Sequence, residues 1–566
     1  MSMILRMITA TALFLVGCAT TDIAEPPNAY GLRSAALTSG PSVPLTACDL
    51  ASTMTIAVPA QCPTIQAAIN HAKGGATITI AAGTYTESVV LDRVVTLQGA
   101  GSGSTKIKAA SSTATALTLK GGAGGTLTKL SLTYGKFGVA AGVPDTTGKV
   151  VLPGNLTLTD VAINGTGTGI SGSYVSLFLN TVQVTNCSVA GTAIAQVAVL
   201  KVDKSTFTNN LGDGLGVAVV GSATGSVTVT SSTFSNNNGN GLALSGSNLS
   251  LTCSGSIFNS NWTSGVALSN LNGPASITSS TASLNAVAGM RAAFGTGDVA
   301  VKNCSFNGNV NDALAIYNGD HKVDFWNDTI TNNGRVGINI FQNGSKPVTV
   351  DTCTLNNIGN VGIAVAGWSS KVVLNAVSVV GATTAGVELR YTGPTTVTGA
   401  WLANTKADSA GKFGDGIVDI GSLLYFVGSF SYGNTRSGVT LFGCNPSGGS
   451  LGATLYAIND RIDCNGFPLD VESSTGDATL ACPAGSSGPG TTDDGNNLCG
   501  TVCPSTKADM AAASFTRSET VCGPDAPPDC IAGLVITTYT PGWSACKAQS
   551  YQLAPLTPLP IPPPGN

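Results

Sequence analysis

The residues best suited to chemistry lie close together near the middle of the chain. Asp320 and His321 are consecutive, Asp324 follows, and Arg335 comes shortly after. A histidine beside carboxylates is typical of general acid–base catalysis, and an arginine can hold the carboxylate of an acidic sugar. These residue types predict a lyase-like or hydrolase-like site. A solvated turn is the alternative, because the Asn-Gly-Asp run that ends at Asp320 is itself turn-forming.

A second group of candidates is aromatic. Tyr317 and Phe341 occupy the same position in two consecutive copies of a repeat, and Trp368 lies close in sequence to the next copy. Three rings on neighbouring strands could form a shelf on which a sugar ring stacks. The alternative is that these rings only cover the edge of a sheet or fold into a loop.

The repeat predicts the elements that must position these side chains. The pattern apolar-x-x-Asn-x-x-x-Gly-apolar-x-apolar recurs about once every 24 residues. Alternating apolar residues on both sides of its first residue, the anchor, predict three short strands per turn of a coil, with equivalent residues stacked about 4.8 Å apart. The predicted fold is therefore all-β, a right-handed single-stranded parallel β-helix. The anchors are Phe207, Phe234, Phe258, Ala282, Phe306, Ile330, Leu355 and Val379.

Two further expectations follow from the repeat. Asparagines two or three places after the anchor are expected to stack as an amide ladder that satisfies the turns. The small residue seven places after the anchor is glycine in every copy but one, where it is Ala313, and it is expected to mark a sharp bend. Residues 392 to 416 depart from the period and are expected to form a longer excursion.

The beginning of the coil carries a family resemblance. Pro63 to Ala72 predicts a short amphipathic helix, followed by Ile78 to Ile80 and by the phrase Gly-Thr-Tyr-Thr-Glu87. This order resembles the entry to pectin-lyase-like parallel β-helix proteins, in which the helix plugs the N-terminal end of the coil. With the repeat, the resemblance covers roughly residues 53 to 470. It implies the fold, whereas lyases, hydrolases, esterases, epimerases and proteins without known activity share that fold.

The family's catalytic residues do not carry over to this sequence. The chain lacks the Gln-Asp-Thr-Leu and Leu-Gly-Arg-Pro-Trp segments of pectinesterases, and the acidic calcium clusters of pectate lyases are not visible. No cofactor or metal site is predicted. Charged residues are only 10% of the chain and its net charge is −4, so we expect no basic patch and no nucleic-acid partner.

The N-terminus predicts export and a lipid anchor. Residues 1–17 combine an early arginine with a short apolar run, as in a signal peptide. The run ends in Leu-Val-Gly-Cys18, which resembles the lipobox of bacterial lipoproteins and implies lipidation of Cys18. Ala19 follows, which favours the outer membrane and the cell surface. Residues 18–47 predict a flexible tether. A plain secretory signal with a chance cysteine is the alternative.

The cysteines predict a disulfide framework at the two ends of the chain. We expect one bridge between Cys48 and Cys62 and another between Cys444 and Cys464. The four inner cysteines are expected to be buried, unpaired thiols. Residues 475–566 predict a disulfide-rich C-terminal cap or appendage with a proline-rich tail, after a β-helix domain at residues 48–474. Its cysteines are Cys482, Cys499, Cys503, Cys522, Cys530 and Cys546, and the sequence does not choose among their pairings.

Two functions are compatible with this sequence. The first is a lipid-anchored surface β-helix that acts as a structural, adhesive or glycan-binding element, with a polysaccharide or a cell-surface protein as its partner. The alternative is a polysaccharide lyase or glycoside hydrolase. Two carboxylates about 5 to 9.5 Å apart would be needed for glycan hydrolysis, and no outward column of the repeat places two acids on adjacent turns.

Overall fold

The structure is a computed structural model that describes most of the coil. The described residues are 48, 53–143, 154–219, 224–367, 371–409, 413–420, 422–442, 454–458, 460–463, 465, 467–473, 476–480, 491–492, 498–499 and 534–537. The predicted Cys444–Cys464 bridge, the C-terminal cysteines other than Cys499, the lipidation site at Cys18 and the aromatic residue Trp368 lie outside these ranges.

The predicted helix is present at the start of the coil. Helix α1 spans Ile65–His71, and its buried face includes Ile65 and Ile69. The side chain of Thr64 accepts a hydrogen bond from the Ala67 amide at 3.1 Å. The carboxylate of Glu87 accepts hydrogen bonds from two further main-chain amides of the first turn, those of Ile65 and Gln66, each at 3.0 Å. These three bonds satisfy most of the unpaired donors at the helix N-terminus.

The expected disulfide next to this helix is also present. Cys48 and Cys62 are bonded, with their Cα atoms 4.2 Å apart.

The rest of the described chain is β-structure with strands of 2 to 14 residues. The first thirteen strands are β1 (Thr55–Val58), β2 (Ala76–Ile80), β3 (Gly83–Thr86), β4 (Val89–Leu91), β5 (Val95–Gly99), β6 (Thr105–Lys108), β7 (Thr115–Lys120), β8 (Gly124–Thr133), β9 (Phe137–Val143), β10 (Gly154–Asn164), β11 (Thr168–Asn180), β12 (Gln183–Thr185) and β13 (Ala190–Asp203). The regular repeat follows as β14 (Thr206–Thr208), β15 (Leu215–Ala218), β16 (Gly225–Thr230), β17 (Thr233–Ser235), β18 (Leu242–Ser245), β19 (Leu249–Ser254), β20 (Ser264–Leu271), β21 (Ala275–Thr278), β22 (Ala288–Gly295), β23 (Val299–Lys302), β24 (Ser305–Asn307), β25 (Asp312–Tyr317), β26 (Val323–Trp326), β27 (Thr329–Thr331), β28 (Val336–Phe341), β29 (Val348–Asp351), β30 (Thr354–Asn356), β31 (Val361–Ala366), β32 (Val372–Asn375) and β33 (Ser378–Val380). The last strands are β34 (Ala385–Arg390), β35 (Thr395–Thr398), β36 (Trp401–Ala403), β37 (Asp415–Ile420), β38 (Leu423–Val427), β39 (Phe430–Tyr432), β40 (Ser437–Phe442), β41 (Thr454–Ile458), β42 (Arg461–Asp463), β43 (Phe467–Ser473), β44 (Gly476–Leu480), β45 (Thr491–Thr492), β46 (Leu498–Cys499) and β47 (Leu534–Thr537).

These strands stack in parallel as three columns, which confirms the predicted coil. The coil has about 15 turns. The first column is β1, β2, β5, β8, β10, β11, β13, β16, β19, β21, β23, β26, β29, β32, β35, β38 and β41. The second column, which carries the anchors, is β3, β6, β8, β10, β12, β14, β17, β24, β27, β30, β33, β36, β39 and β42, with single bridges at Ile257 and Thr281. The third column is β4, β7, β9, β11, β13, β15, β18, β20, β22, β25, β28, β31, β34, β37, β40 and β43.

The coil extends well beyond the eight anchors that the repeat reveals. Before Phe207 the anchor position is filled, turn by turn, by Tyr85, Ile107, Leu132, Ile163 and Val184. After Val379 it is filled by Leu402, Ser431 and Ile462. Of the excursion expected at residues 392–416, the part up to Ala403 instead belongs to the coil, as β35 and β36. The additional length lies in the connection between Ala403 and Asp415, where β37 begins.

The anchors fill the interior of the coil. Phe207, Phe234 and Phe258 are buried, and their rings stack with centroids 5.0 and 5.1 Å apart. Most of the apolar residues that flank each anchor are buried in the same cluster. Stacking like on like in this way removes a continuous apolar surface from water, which is the main driving force for the fold.

The amide ladder forms at the position three residues after the anchor. Asn210, Asn237, Asn261, Asn285, Asn309 and Asn333 are buried in one stack. Each of the first five donates from its side-chain nitrogen to the amide oxygen of the next member at 2.9 to 3.1 Å. That oxygen also accepts the main-chain amide of the preceding member, as from Asn261 to Asn285 at 3.0 Å. The ladder thus satisfies a buried corner that no strand pairing reaches.

The asparagines two places after the anchor have a different role. Asn209, Asn236, Asn332 and Asn357 have φ between +52° and +58°. Asparagine tolerates this left-handed backbone conformation better than most residues do. The position three residues after the anchor therefore forms the buried ladder, and the position two residues after it forms an outer corner of the coil.

The glycines seven places after the anchor do not mark the bend, contrary to expectation. None of those in the repeat has a positive φ. They are required because the next turn approaches closely: a Cβ on Gly337 would lie 2.6 Å from the carbonyl oxygen of Gly362, and one on Gly362 would lie 2.5 Å from that of Gly386. Glycine is selected here for close backbone approach, which is a different physical reason from backbone freedom.

A second buried stack lies two residues before the anchor. It consists of Ser205, Ser232, Ser256, Ser280, Cys304, Asp328 and Cys353. Each serine from Ser232 on accepts the main-chain amide of the member one turn earlier, as from Ser205 to Ser232 at 3.0 Å. Cys304 and Cys353 are two turns apart with Asp328 between them. Together with Cys187 and Cys253 they are buried free thiols, as expected.

Strands from beyond the coil pair with all three strands of the last turn. β44 pairs with β43 and β47 pairs with β41, both antiparallel, and β46 pairs with β42 in parallel. These pairings occupy backbone groups that would otherwise form an open sheet edge.

The amide ladder gives a direct test of what stabilises the coil. In Asn285→Ala the amide of Asn261 and the carbonyl of Phe258 lose their partners. We expect the free energy of unfolding to fall by about 2 to 4 kcal/mol, because buried polar groups are left unsatisfied. Urea denaturation followed by circular dichroism would measure the change. Asn307→Ala is the control, because Asn307 is exposed, and its effect should stay below about 1 kcal/mol. Equal losses in the two variants would contradict the assigned role.

Candidate glycan-binding surface

The four residues proposed for catalysis do not meet in one site. Asp324 lies on β26 in the first column and pairs with Lys302, with Nζ and Oδ2 2.6 Å apart. Arg335 lies just before β28 in the third column and pairs with Asp312, a residue that the sequence did not single out. Although Asp324 and Arg335 are close in sequence, they therefore lie on two different faces of the coil.

The remaining two residues also have structural partners. His321 is buried, its Nδ1 lies 2.7 Å from the carbonyl oxygen of Gly297, and its main-chain amide donates to Asn343 Oδ1 at 2.8 Å. Burial lowers the pKa of the imidazole, so the neutral form is favoured. Asp320 Oδ1 accepts the main-chain amide of Lys346 at 3.0 Å. These contacts fit a turn that is held rigidly.

Arg335 belongs to a compact polar centre around Asp312. The carboxylate of Asp312 is buried and accepts two bonds from the guanidinium of Arg335, each of 2.9 Å. It also accepts the Tyr317 hydroxyl at 2.5 Å and the Asn339 amide at 3.0 Å. Burial and the nearby carboxylate raise the pKa of Tyr317. A bidentate arginine with two further donors satisfies a buried carboxylate.

A related polar centre lies further along the third column. Asp415 is fully buried and accepts two bonds from Arg436, of 2.7 and 2.8 Å. The hydroxyls of Ser437 and Thr440 lie 3.1 and 3.2 Å from the same carboxylate. Sequence reasoning missed this centre because Asp415 falls in the segment that was expected to leave the coil.

A further buried acid of the third column is also paired with an arginine. Glu388 is buried and bonded to Arg390. Burial raises the pKa of its carboxyl, and the charge of nearby Asp415 raises it further, whereas Arg390 opposes this shift. A protonated carboxyl is what general acid catalysis needs. The ion pair with arginine favours the opposite state.

The predicted aromatic shelf is present only in part. Tyr317 and Phe341 do lie opposite each other on adjacent turns, as the register of β25 and β28 requires. Both rings are half-buried, and the Tyr317 hydroxyl is bonded to Asp312. Trp368 lies outside the described residues. The pair is thus tied to the polar centre around Asp312.

A different set of rings is exposed on the second column. Trp401 on β36 lies opposite Phe430 on β39, with ring centroids 5.4 Å apart, and Tyr432 lies 6.5 Å from Trp401 at an angle of 23°. Their exposed fractions are 43%, 41% and 38%. We call Trp401, Phe430 and Tyr432 the aromatic cluster. Rings of this size are usually buried, so three neighbouring exposed ones are a candidate binding surface.

The two turns that flank the aromatic cluster differ in residue type. On the following turn the register places Arg461 opposite Phe430 and Asp463 opposite Tyr432, whereas the preceding turns carry mostly hydroxyl and amide residues. On the four preceding turns of the same face, the outward positions are Ser305, Asn307, Thr329, Thr331, Thr354, Asn356, Ser378 and Val380. The cluster escaped the sequence analysis because the spacing of the anchors changes around it, to Leu402 and then Ser431. The sequence signal that could have revealed it is the pair of aromatic residues, Phe430 and Tyr432, that flank Ser431.

No cation site or membrane helix is seen in these parts of the chain. Among the described residues, no three histidine, cysteine or acidic side chains are placed to hold a metal ion. The same residues include no helix that is long and apolar enough to cross a membrane.

With the geometry established, comparison with known proteins gives the family. The chain matches the family described as right handed beta helix region over residues 117–282, 190–348 and 275–402, which together make up just over half of its length. The chain therefore belongs to the right-handed β-helix family. No curated protein matches it.

Several solved β-helix structures are similar to the chain at low identity. The catalytic domain of a GH87 alpha-1,3-glucanase in complex with nigerose is 16% identical, with a TM-score of 0.36, over 58% of this chain and 65% of that one. The Azotobacter vinelandii mannuronan C-5 epimerase AlgE6 A-module is 15% identical, with a TM-score of 0.35, over 64% and 94%. An alginate lyase from Paenibacillus sp. str. FPU-7 is 15% identical, with a TM-score of 0.27, over 48% and 99%. The chain thus spans just under two thirds of the glucanase domain.

Asp328 allows a test of how the coil tolerates a buried acid. It is 1% exposed in a stack of serines and cysteines, and its Oδ1 accepts the Cys304 amide at 2.8 Å. Burial raises the pKa of its carboxyl to about 8. Because the folded state holds the proton more tightly than the unfolded chain does, stability should fall as pH rises from about 4 to 8, by up to ~5 kcal/mol.

Asp328→Ser restores the residue type of the neighbouring turns and removes the titrating group. We expect the variant to gain stability over the natural chain as pH increases, with the smallest difference near pH 4. Urea midpoints at about pH 4, 6 and 8 would measure this. Asp324→Ser is the control, since it removes an exposed ion pair with little effect. The assignment would be refuted by parallel pH profiles for the natural chain and Asp328→Ser.

Proposed function

We propose that this protein binds glycans through the aromatic cluster and is displayed at the cell surface by a lipid on Cys18. The observation that carries the binding function is the exposure of Trp401, Phe430 and Tyr432 next to one another on the outer face of β36 and β39. Sugar rings present apolar C–H faces that stack on aromatic rings, while their hydroxyls need polar partners at the rim.

The position of the cluster supports a chain-like ligand. Trp401 and Phe430 lie on consecutive turns, so their rings follow each other along the axis of the coil. The hydroxyl and amide side chains of the preceding turns continue the same face in the same direction. A polysaccharide that stacks on the rings can therefore extend over neighbouring turns and exchange hydrogen bonds there.

Three of the described carboxylates of the third column support binding more than cleavage, whereas Asp419, which is also buried there, has no arginine partner among the described residues. Asp312 and Asp415 each accept two bonds from an arginine, and Glu388 is paired with Arg390. An acid or base for glycan cleavage must exchange a proton with its substrate, and a bidentate arginine stabilises the ionised carboxylate against that exchange.

The proposed lipid on Cys18 and the cell-surface location are supported by the sequence alone. The lipobox-like Leu-Val-Gly-Cys18 and the absence of aspartate after it support an outer-membrane lipoprotein that faces the surface. The tether of residues 18–47 would leave the coil free to meet large ligands. A cell-surface protein is a further partner that this location would permit.

Binding is tested with the purified chain and a panel of neutral and acidic polysaccharides in affinity electrophoresis. For a polysaccharide that binds, the double variant Trp401→Ala, Phe430→Ala should weaken binding by about tenfold or more, because two stacking contacts are lost. Trp326→Ala is the matched control: its ring is 41% exposed but lies on β26 in the first column. It should change the affinity less than about twofold. Equal losses in both variants, or no ligand in the panel, would contradict the proposed site.

A polysaccharide lyase or glycoside hydrolase is the second candidate, and Glu388 is the observation that favours it. Its raised pKa and the nearby charge of Asp415 are features of a general acid. If the protein only binds, reducing-sugar and unsaturated-product assays on the same panel should give no product. Product that disappears in Glu388→Gln but persists in Asp324→Ala would establish the enzyme instead. Loss in Asp324→Ala would point to the cluster that the sequence suggested.

A further inference from the structure

The first turns of the coil carry a charge opposite to that of the whole chain. Residues 53–143 contain seven lysines and arginines but only two acidic residues, whereas the net charge of the full sequence is −4. The expectation that no basic patch exists is therefore wrong at this end. It was drawn from the overall charge, which averages over a strongly uneven distribution.

Four of these cations lie on two adjacent turns. Lys106 and Lys108 point outward from β6 in the second column. Lys129 and Lys136 lie on either side of the second-column part of β8, one turn further on. All four side chains are exposed. We call Lys106, Lys108, Lys129 and Lys136 the lysine patch.

Aromatic rings lie within the lysine patch. The ammonium group of Lys108 lies 5.1 Å from the ring centroid of Tyr134, and that of Lys136 lies 5.2 Å from the ring of Phe137. Tyr134 is 42% exposed. An exposed tyrosine among lysines suits the boundary between water and a lipid headgroup layer, where an apolar ring with a polar tip is favoured.

The acids nearest to the lysine patch are engaged elsewhere. The carboxylate of Glu87 accepts two amides of helix α1. Asp92 is paired with Arg93 at 2.9 Å. Asp160, which lies beside Lys129 on the next turn, accepts the Ser102 hydroxyl at 3.2 Å. Three acids are thus close to this end of the coil, and the lysines still leave it with a net positive charge.

We propose that the lysine patch docks the first turns of the coil against a surface of anionic lipid headgroups. The patch lies at the end of the coil to which the tether of residues 18–47 leads, so the proposed lipid on Cys18 would hold it near a membrane. Each lysine close to an anionic bilayer contributes to binding, and a few acting together give an affinity that salt weakens.

The residue types favour lipid over a structured polyanion. The patch contains four lysines and no arginine, and lysine acts as a mobile point charge without the fixed fork that reads phosphates in a defined geometry. Four cations spread over two turns also provide fewer contacts than a nucleic-acid site normally makes. Binding to a fluid layer of lipid headgroups requires neither a high density of cations nor a fixed geometry of their contacts.

The test uses the full chain with Cys18→Ser, so that no covalent lipid contributes to binding. Co-sedimentation would compare vesicles of phosphatidylcholine alone with vesicles in which about one third is phosphatidylglycerol. We expect preferential binding to the anionic vesicles at about 50 mM salt, and most of this preference should be lost near 500 mM. The assay contains no glycan, so its result is independent of the aromatic cluster.

Two quadruple variants with the same net charge separate the patch from overall charge. Replacing Lys106, Lys108, Lys129 and Lys136 by glutamine should reduce binding to anionic vesicles by about tenfold or more. Replacing Lys204, Lys322, Lys371 and Lys406, which are exposed on later turns, should change it less than about twofold. The proposal is overturned if the two variants lose binding equally, if the chain does not prefer anionic vesicles, or if the patch binds an RNA or heparin probe but not the vesicles.

Discussion

The structure depends on one constraint: every turn must satisfy the buried polar groups of the turn before it. The strands do this along the three columns, but a corner between two columns has amides and carbonyls that no strand can reach. The asparagines from Asn210 to Asn333 solve the problem with a single side chain per turn, because an amide both donates and accepts along the axis. The stack from Ser205 to Ser280 solves it at a second corner with hydroxyls. Since each member needs the next, the turns stabilise one another cooperatively.

Once the interior is fixed by these stacks, the outer faces can differ in chemistry without affecting the fold. The third column carries buried acids that are matched with arginines, as at Asp312 and Asp415. The second column has lysines at its first turns, hydroxyls and amides in the middle, and exposed rings at Trp401 and Phe430. A scaffold that is uniform inside and varied outside allows binding functions to be placed at chosen turns.

The sequence predicts the fold far better than it predicts the site, and the reason is physical. Inward positions obey a strict period, because a wrong residue at Phe234 or Asn261 leaves a void or an unsatisfied amide in a closed stack. Outward positions obey no period, so the partner of Arg335 could not be read from spacing: it is Asp312, on the preceding turn. The rings at Trp401 and Phe430 were missed because the longer connection after Ala403 disrupts the period, although the strands themselves stay in register.

The regular rise of the coil also gives the protein a defined length. Between the anchor Ile107, beside the lysines, and the anchor Ser431, beside the rings, the chain makes thirteen steps of about 4.8 Å, or roughly 60 Å. Insertion or deletion of a whole repeat would keep the inward stacks continuous, because each turn contacts only its neighbours. Each such event would shift the two ends relative to each other by one step and leave the chemistry of both unchanged. The coil is thus a spacer whose reach can evolve in fixed increments.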